Sequence, residues 1–361
     1  MKKRMIQKTG IALFVLLVSG CATIGPDSIV RDRFDYNTAI SNSWKEQTLL
    51  NIVKLRYSDM PLFVEVASVV SGYTMQSSVN LLGTNTNAPG GGGNLASLGA
   101  SGTYTDRPTI TYTPITGKQF NRSFMKPIPP QAIMFLLQSG WDVDMILPLT
   151  VDSINGLRAR VAAGASQYAG DDDYYRAVKL FREIQKSGAV GMQVRKGEDD
   201  IESTIMFFYR DKLNQQLVDN LAELDQLLGL DKTARELKIT YGLLPEHDDE
   251  IALRSRSILQ IMITLAADIE VPEAHINDGR TIASSYVDKT NKRRNEPLVK
   301  IQYSKEKPEN AFTAARYNDY WFFIDDRDFA SKRSFAFLMI LFSLTETGGS
   351  ELLPVVTIPA G

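Results

Sequence analysis

Ala189-Val190-Gly191-Met192-Gln193-Val194-Arg195 and Ile201-Glu202-Ser203-Thr204-Ile205-Met206-Phe207-Phe208-Tyr209 flank the polar run Lys196-Gly197-Glu198-Asp199-Asp200. This stretch decides the fold class. Both flanks are rich in β-branched, aromatic and other apolar residues and read as strands. Strands so close in sequence pair antiparallel. Residues 311–316 and 320–324 repeat the pattern around Asn318-Asp319. Residues 237–241, 298–303 and 355–358 also read as strands. Helical periodicity covers residues 43–57, 131–138, 147–160, 174–186, 213–228, 250–268 and 331–344. Ser43 and Glu46 form a capping-box pattern before the first of these. The elements do not alternate as βαβ, so the expected class is α+β, with helices on one face of an antiparallel sheet that includes residues 189–209 and 298–324. The core is expected near Trp321, Phe323, Phe335 and Leu338. The run Tyr320-Trp321-Phe322-Phe323-Ile324 is apolar on both parities, as in a strand buried on both faces. An aromatic binding surface is the competing reading.

Working outward, residues 71–81 alternate. Tyr73, Met75, Val79 and Leu81 share one parity, and Thr74, Gln76, Ser78 and Asn80 the other. A flexible run follows through the tetraglycine at 90–93. Alternation then returns, with Ala96, Leu98, Ala100, Tyr104, Ile110 and Tyr112 on one parity and Ser97, Ser101, Thr103, Thr105 and Thr109 on the other. The expectation is a long β-hairpin with a Gly-rich tip, interrupted at Asp106 and Pro108. The tetraglycine is not a phosphate loop, since no Lys-Ser/Thr follows it.

The N-terminus carries Lys2, Lys3, Arg4 and Lys8, then the apolar residues 11–18, then Val18-Ser19-Gly20-Cys21. The apolar run is short for a membrane span. Cys21 is the single cysteine of the 361 residues. The pattern resembles the lipobox of bacterial lipoproteins. That resemblance covers the first 21 residues and implies an acylated thiol, palmitate being the implied chain type, with cleavage before Cys21. It implies residues 1–20 as signal peptide and 21–40 as a lipid-anchored tether. Residues 41–130 would hold a helix plus the hairpin, and 131–361 an α+β globular region. Ala22 stands where an aspartate retains enterobacterial lipoproteins at the inner membrane. The expected location is therefore the outer membrane, facing the periplasm. A cut-off signal peptide that leaves an unmodified free thiol and a retained signal anchor are the competing readings. With no second cysteine, no disulfide forms within the chain, and about 340 mature residues suffice for a core of their own.

Hydrophobic residues make up 43% of the chain and charged residues 23%, values of an ordinary globular protein. Removing the four positive charges of the leader takes the formal net charge from −2 to −6. That acidity argues against a nucleic-acid partner. The longest later apolar run, residues 335–344, has only the length of a buried helix.

Candidate chemistry is sparse. His247, within Glu246-His247-Asp248-Asp249-Glu250, reads as a metal site or as a solvated helix start. His275 reads as a surface residue in a turn. Asp171, Asp172 and Asp173 read as helix capping or calcium ligands. Asp325, Asp326 and Asp328 read as an acid–base pair or as partners of Lys332 and Arg333. Lys289, Lys292, Arg293 and Arg294 form a basic loop, either solvated or set against anionic headgroups. No cofactor is implied. Three functional readings follow. One is a non-catalytic lipoprotein with a scaffolding, assembly or transport-related role and envelope proteins or its own copies as partners. Another is a subunit of an oligomeric outer-membrane pore contributing the 71–113 hairpin, the plain alternative being a hairpin packed on the soluble fold with a floppy tip. The third is an envelope-acting hydrolase using the acids near 325–328.

The lipobox resemblance has a direct consequence. Cys21→Ser is expected to abolish lipid incorporation and leader cleavage, as read by metabolic labelling with a palmitate analogue and by mass spectrometry. Labelling and processing at residue 21 in that variant would overturn it.

Overall fold

The computed structural model describes residues 26–70, 73–85, 94–163, 166–168, 170–196, 202–208, 214–234, 236–284 and 297–346. Its class is α+β with antiparallel sheets. The chain divides into two compact units, one of residues 1–61 and 116–349, the other of residues 62–115 and 350–361.

In the larger unit the first helix, α1, spans Pro26–Arg56. The capping box expected at Ser43 is not used, because the helix starts a full 17 residues earlier at Pro26. Nothing between Pro26 and Ser43 breaks a helix. Residues 26–40, expected as tether, are therefore helical. From Arg33 to Ser43 every residue except Tyr36 is exposed, whereas Leu49, Ile52 and Val53 are fully buried.

Helices α2 (Pro130–Gln138), α3 (Val143–Thr150) and α4 (Asp172–Ser187) cover one face of a six-stranded sheet. Its strands are β5 (Val151–Ile154), β6 (Leu157–Arg158), β9 (Val190–Lys196), β10 (Glu202–Phe208), β11 (Glu236–Tyr241) and β12 (Glu250–Ser255), while β7 (Val161–Ala163) and β8 (Ser166–Tyr168) pair with each other in a separate two-stranded sheet. Their order is β6-β5-β12-β11-β10-β9, and only β11 and β12 run parallel. The pair β9–β10 is antiparallel, from Lys196 opposite Glu202 to Val190 opposite Phe208. Register puts Met192, Met206, Leu237, Ile239, Ile251 and Leu253 on the helix-covered face. Helix α5 (Gln215–Leu228) packs on α4.

Two helices expected from the sequence are shorter than their apolar runs. Residues 147–160 divide into the end of α3 and the hairpin β5–β6. Its turn is Asn155-Gly156, both at positive φ (45° and 86°), the backbone that a two-residue hairpin requires. Residues 250–268 divide into β12 and α6 (Ile258–Ala267), because Ser257 caps α6 in a capping box with Gln260.

A second sheet holds β13 (Gln302–Ser304), β14 (Ala311–Tyr317) and β15 (Tyr320–Asp325) in the order β13-β15-β14. Residues 189–209 and 298–324 thus lie in separate sheets, not in one. The β14–β15 turn is Asn318-Asp319, again with both φ values positive. In β15 the buried parity is Phe322 and Ile324, each fully buried, while Trp321 and Phe323 are half-buried. The strand has one core face rather than two. Helices α1 and α7 (Phe329–Glu346) flank this sheet, and α7 buries Phe335, Phe337, Leu338, Leu341 and Phe342. Among the described residues no helix is long and apolar enough to cross a membrane.

The smaller unit holds β1 (Val64–Val70), β2 (Tyr73–Asn85), β3 (Asn94–Asp106) and β4 (Thr109–Pro114). The terminal strand expected at 355–358 lies outside the described residues.

The parity of β15 gives an expected outcome. Phe322→Ala should destabilise the larger unit by about 3–5 kcal/mol, as burial of a whole aromatic side chain implies. Trp321→Ala should cost clearly less. Denaturant midpoints of the two variants check the order, and a larger loss at Trp321 would refute it.

Candidate functional site

The smaller unit is the candidate. Its strands β2 and β3 pair antiparallel from Tyr73 opposite Asp106 to Asn85 opposite Asn94. Strands β1 and β4 pair from Val64 opposite Pro114 to Val70 opposite Thr109, with a bulge between Val66 and Ser68. Each pair forms a sheet of only two strands and joins no other among the described residues. Residues opposite each other in a ladder share a face. Register therefore sets Met75 with Tyr104, Val79 with Ala100 and Leu81 with Leu98 on one face. Gln76 with Thr103 and Ser78 with Ser101 take the other. Gln76, Ser78, Asn80, Gly99, Ser101 and Thr103 are exposed, and the Ser78 and Ser101 hydroxyls hydrogen-bond at 2.6 Å. Strand β4 is exposed along its whole length. The tetraglycine tip at 90–93 lies outside the described residues.

Among the described residues the outer edges of these ribbons pair with no further strand, which leaves edges open to strand addition. At about 3.4 Å per residue, the 13 residues of β2 extend about 40 Å. What it can do chemically is offer strand edges and one apolar face.

The titratable candidates have other occupations. Asp325 takes Arg327 in a two-point ion pair, with Nε at 3.0 Å and Nη2 at 2.7 Å. These bonds hold the Asp325 carboxyl down at about 2. Asp326 pairs with Lys332 at 2.6 Å, and Asp328 accepts from the Ser331 amide and hydroxyl at the start of α7. The salt-bridge reading of this cluster holds for Lys332, whereas Arg333 bridges Asp142. Asp171 accepts from the Arg158 amide and the Tyr168 hydroxyl, and Asp172 and Asp173 occupy the first turn of α4. His247 is exposed in a turn before β12, not at a helix start. Among the described residues no group of three or more His, Cys, Asp or Glu side chains could hold a metal ion. Cys21 and the basic loop at 289–294 lie outside the described residues.

His275 departs most from its reading. It is buried at 3% exposure in a short helix, Glu273–Asn277, rather than on the surface. Its Nδ1 lies 2.8 Å from the Tyr57 hydroxyl, and its ring meets Tyr57 and Tyr320 edge to face. Burial pushes Tyr57 up to about 12 and His275 below its ordinary value. Both groups are therefore neutral near pH 7, and the Tyr57 hydroxyl is assigned as donor to Nδ1. Tyr317 and Phe322 pack on Tyr57 and Tyr320 packs on His275, so the pair ties the end of α1 to the second sheet. A single histidine in a polar turn carries no sequence signal for such burial.

No protein-family model matches the chain, and neither a curated protein nor a solved structure matches it.

The His275 environment predicts a pH response. Its folded pKa lies below the unfolded value, so the native state resists protonation. Its contribution is complete above the unfolded pKa of about 6.5 and is lost as pH falls through the folded value. The thermal midpoint should fall on acidification from pH 7 to 5, and His275→Gln should flatten that part of the curve. An unchanged slope in the variant would assign the response to other groups.

Proposed function

We propose that the chain is a lipid-anchored protein of the bacterial outer membrane, facing the periplasm, with a non-catalytic role in assembly or transport. One observation carries this reading: strands β1–β4 form two two-stranded ribbons in a unit of their own, and among the described residues neither ribbon pairs with a further strand. An isolated two-stranded ribbon is marginal in water. Its order requires further strands, and those of neighbouring copies are the available kind. The lipid on Cys21 would hold the copies at one surface and raise their effective concentration there.

A second reading is a pore wall made by several copies. The segregation of Met75, Val79, Leu81, Leu98 and Tyr104 from Gln76, Ser78, Ser101 and Thr103 favours it. A barrel wall has this alternation, apolar to lipid and polar to the lumen. The 13-residue strands exceed the 9–11 residues that cross a bilayer.

The test purifies the acylated protein in detergent and measures its subunit count, then its conductance in planar bilayers. Oligomers are expected, and Val79→Asp or Leu81→Asp should weaken them while the denaturant midpoint of the larger unit stays in place. Conductance lost in the same variants supports the pore. A monomer after removal of the lipid, with no conductance over a wide concentration range, would sink both the ribbon-mediated assembly and the pore.

A further inference from the structure

The larger unit contains a cavity of about 360 Å³ between helices α2, α3 and α4 and the sheet. Protein interiors leave few voids larger than a water molecule. This one has the size of a small-molecule site, for which about 300–1,000 Å³ is usual. Its floor is apolar and buried. Leu137 and Leu147 come from the helices, and Met206, Ile239 and Leu253 from the sheet face. Met134 and Met192 add unbranched, polarisable side chains that adjust to an irregular occupant.

The mouth is marked by the exposed Gln138, Gly140 and Lys186. Arg182 also lines it, but its charge is matched by Asp142 and by Asp144 at 3.5 Å. Asp142 is in turn shared with Arg333. Gln185 fixes this rim. Its amide donates to the Leu137 and Trp141 carbonyls at 3.1 and 2.7 Å, and its oxygen accepts from the Val143 amide at 3.2 Å. Lys186 is the one rim cation without a carboxylate partner among the described residues. The site therefore combines an apolar interior, a preset entrance and one positive charge at the surface without a carboxylate partner among the described residues.

We infer that this cavity is a binding site for a single-chain amphiphile with an anionic head, specifically a fatty acid, its chain inside and its carboxylate at Lys186. Chain burial supplies the affinity, since each methylene removed from water contributes about 0.8 kcal/mol. The lysine selects the head. Neutral or cationic heads lose this contact, and a second acyl chain exceeds the space.

The test uses the full acylated chain in phospholipid nanodiscs with a photoactivatable diazirine fatty acid, the label being located by peptide mass spectrometry. Labelling is expected on peptides covering residues 134–147 and 181–206. Excess palmitate should suppress it, and excess dodecyltrimethylammonium should not. Lys186→Gln, an exposed substitution that leaves the core intact, should weaken labelling on the order of fivefold, about 1 kcal/mol for a surface ion pair. Label spread over surface peptides only, or equal competition by the cationic amphiphile, would overturn the site. Competition by a lysophospholipid but not by palmitate would overturn the fatty-acid assignment.

Discussion

The larger unit depends on how the buried end of α3 is satisfied. A helix leaves its last carbonyls without internal partners, and burying them unpaired is costly. Here every one has a donor. The Tyr174 hydroxyl lies 3.1 Å from the Leu147 carbonyl and 2.9 Å from that of Val151. Arg256 Nη1 donates to Pro148 at 2.6 Å and to Leu149 at 3.2 Å, and its backbone amide donates to Thr150 at 2.7 Å. Nη2 reaches the Arg160 carbonyl, and the Arg256 carbonyl accepts from Ile128. One residue at the junction of β12 and α6 thus fixes a helix end, a strand and the chain entering α2. Burial lowers the Arg256 pKa and raises that of Tyr174. The guanidinium remains charged because it faces the negative end of a helix dipole.

The same device recurs at α6. Arg56, at the end of α1, donates Nη1 to the Ala267 carbonyl at 3.2 Å and Nη2 to Ile282 at 2.7 Å. Beside it the buried Asp268 carboxylate takes Arg160. Asn155 works without charge, donating to Leu228 and Glu250 carbonyls and accepting from Ala252. These contacts span about a hundred residues or more in several cases, so they set which elements meet rather than which elements form. Removing one partner would strand a buried polar group, which is why such networks act on specificity as well as stability.

That division explains what the sequence made legible. Elements bounded by local chemistry were readable: α5 up to Gly229, α4 up to Gly188, and the β14–β15 turn at Asn318-Asp319. Elements joined inside one apolar run were not. Residues 250–268 carry helical periodicity throughout, and the Ser257 cap alone marks the change from strand to helix. Asn155-Gly156 was a hairpin signal within a run that also fits a helix. The face of β15 depended on its register in a separate sheet, which no local pattern encodes. Of the candidate site, the alternation of the ribbon was visible, but its extension through residues 64–70 was not. That run, Val64-Glu65-Val66-Ala67-Ser68-Val69-Val70, breaks period two at its bulge.

The two units differ in what completes them. The larger one has fully buried aromatics at Tyr174, Phe322, Phe335 and Phe337, and its helix ends find their donors within the chain. The ribbon has one partner strand for each strand and exposed residues along β4, so its own burial offsets little of the entropy lost in extending the chain. Its alternation holds for the pairs Met75–Tyr104, Val79–Ala100 and Leu81–Leu98, interrupted at Ser77–Gly102, although no third strand among the described residues uses it. An amphipathic ribbon suits an environment with two sides, as the proposed wall of repeated ribbons between lipid and water would be.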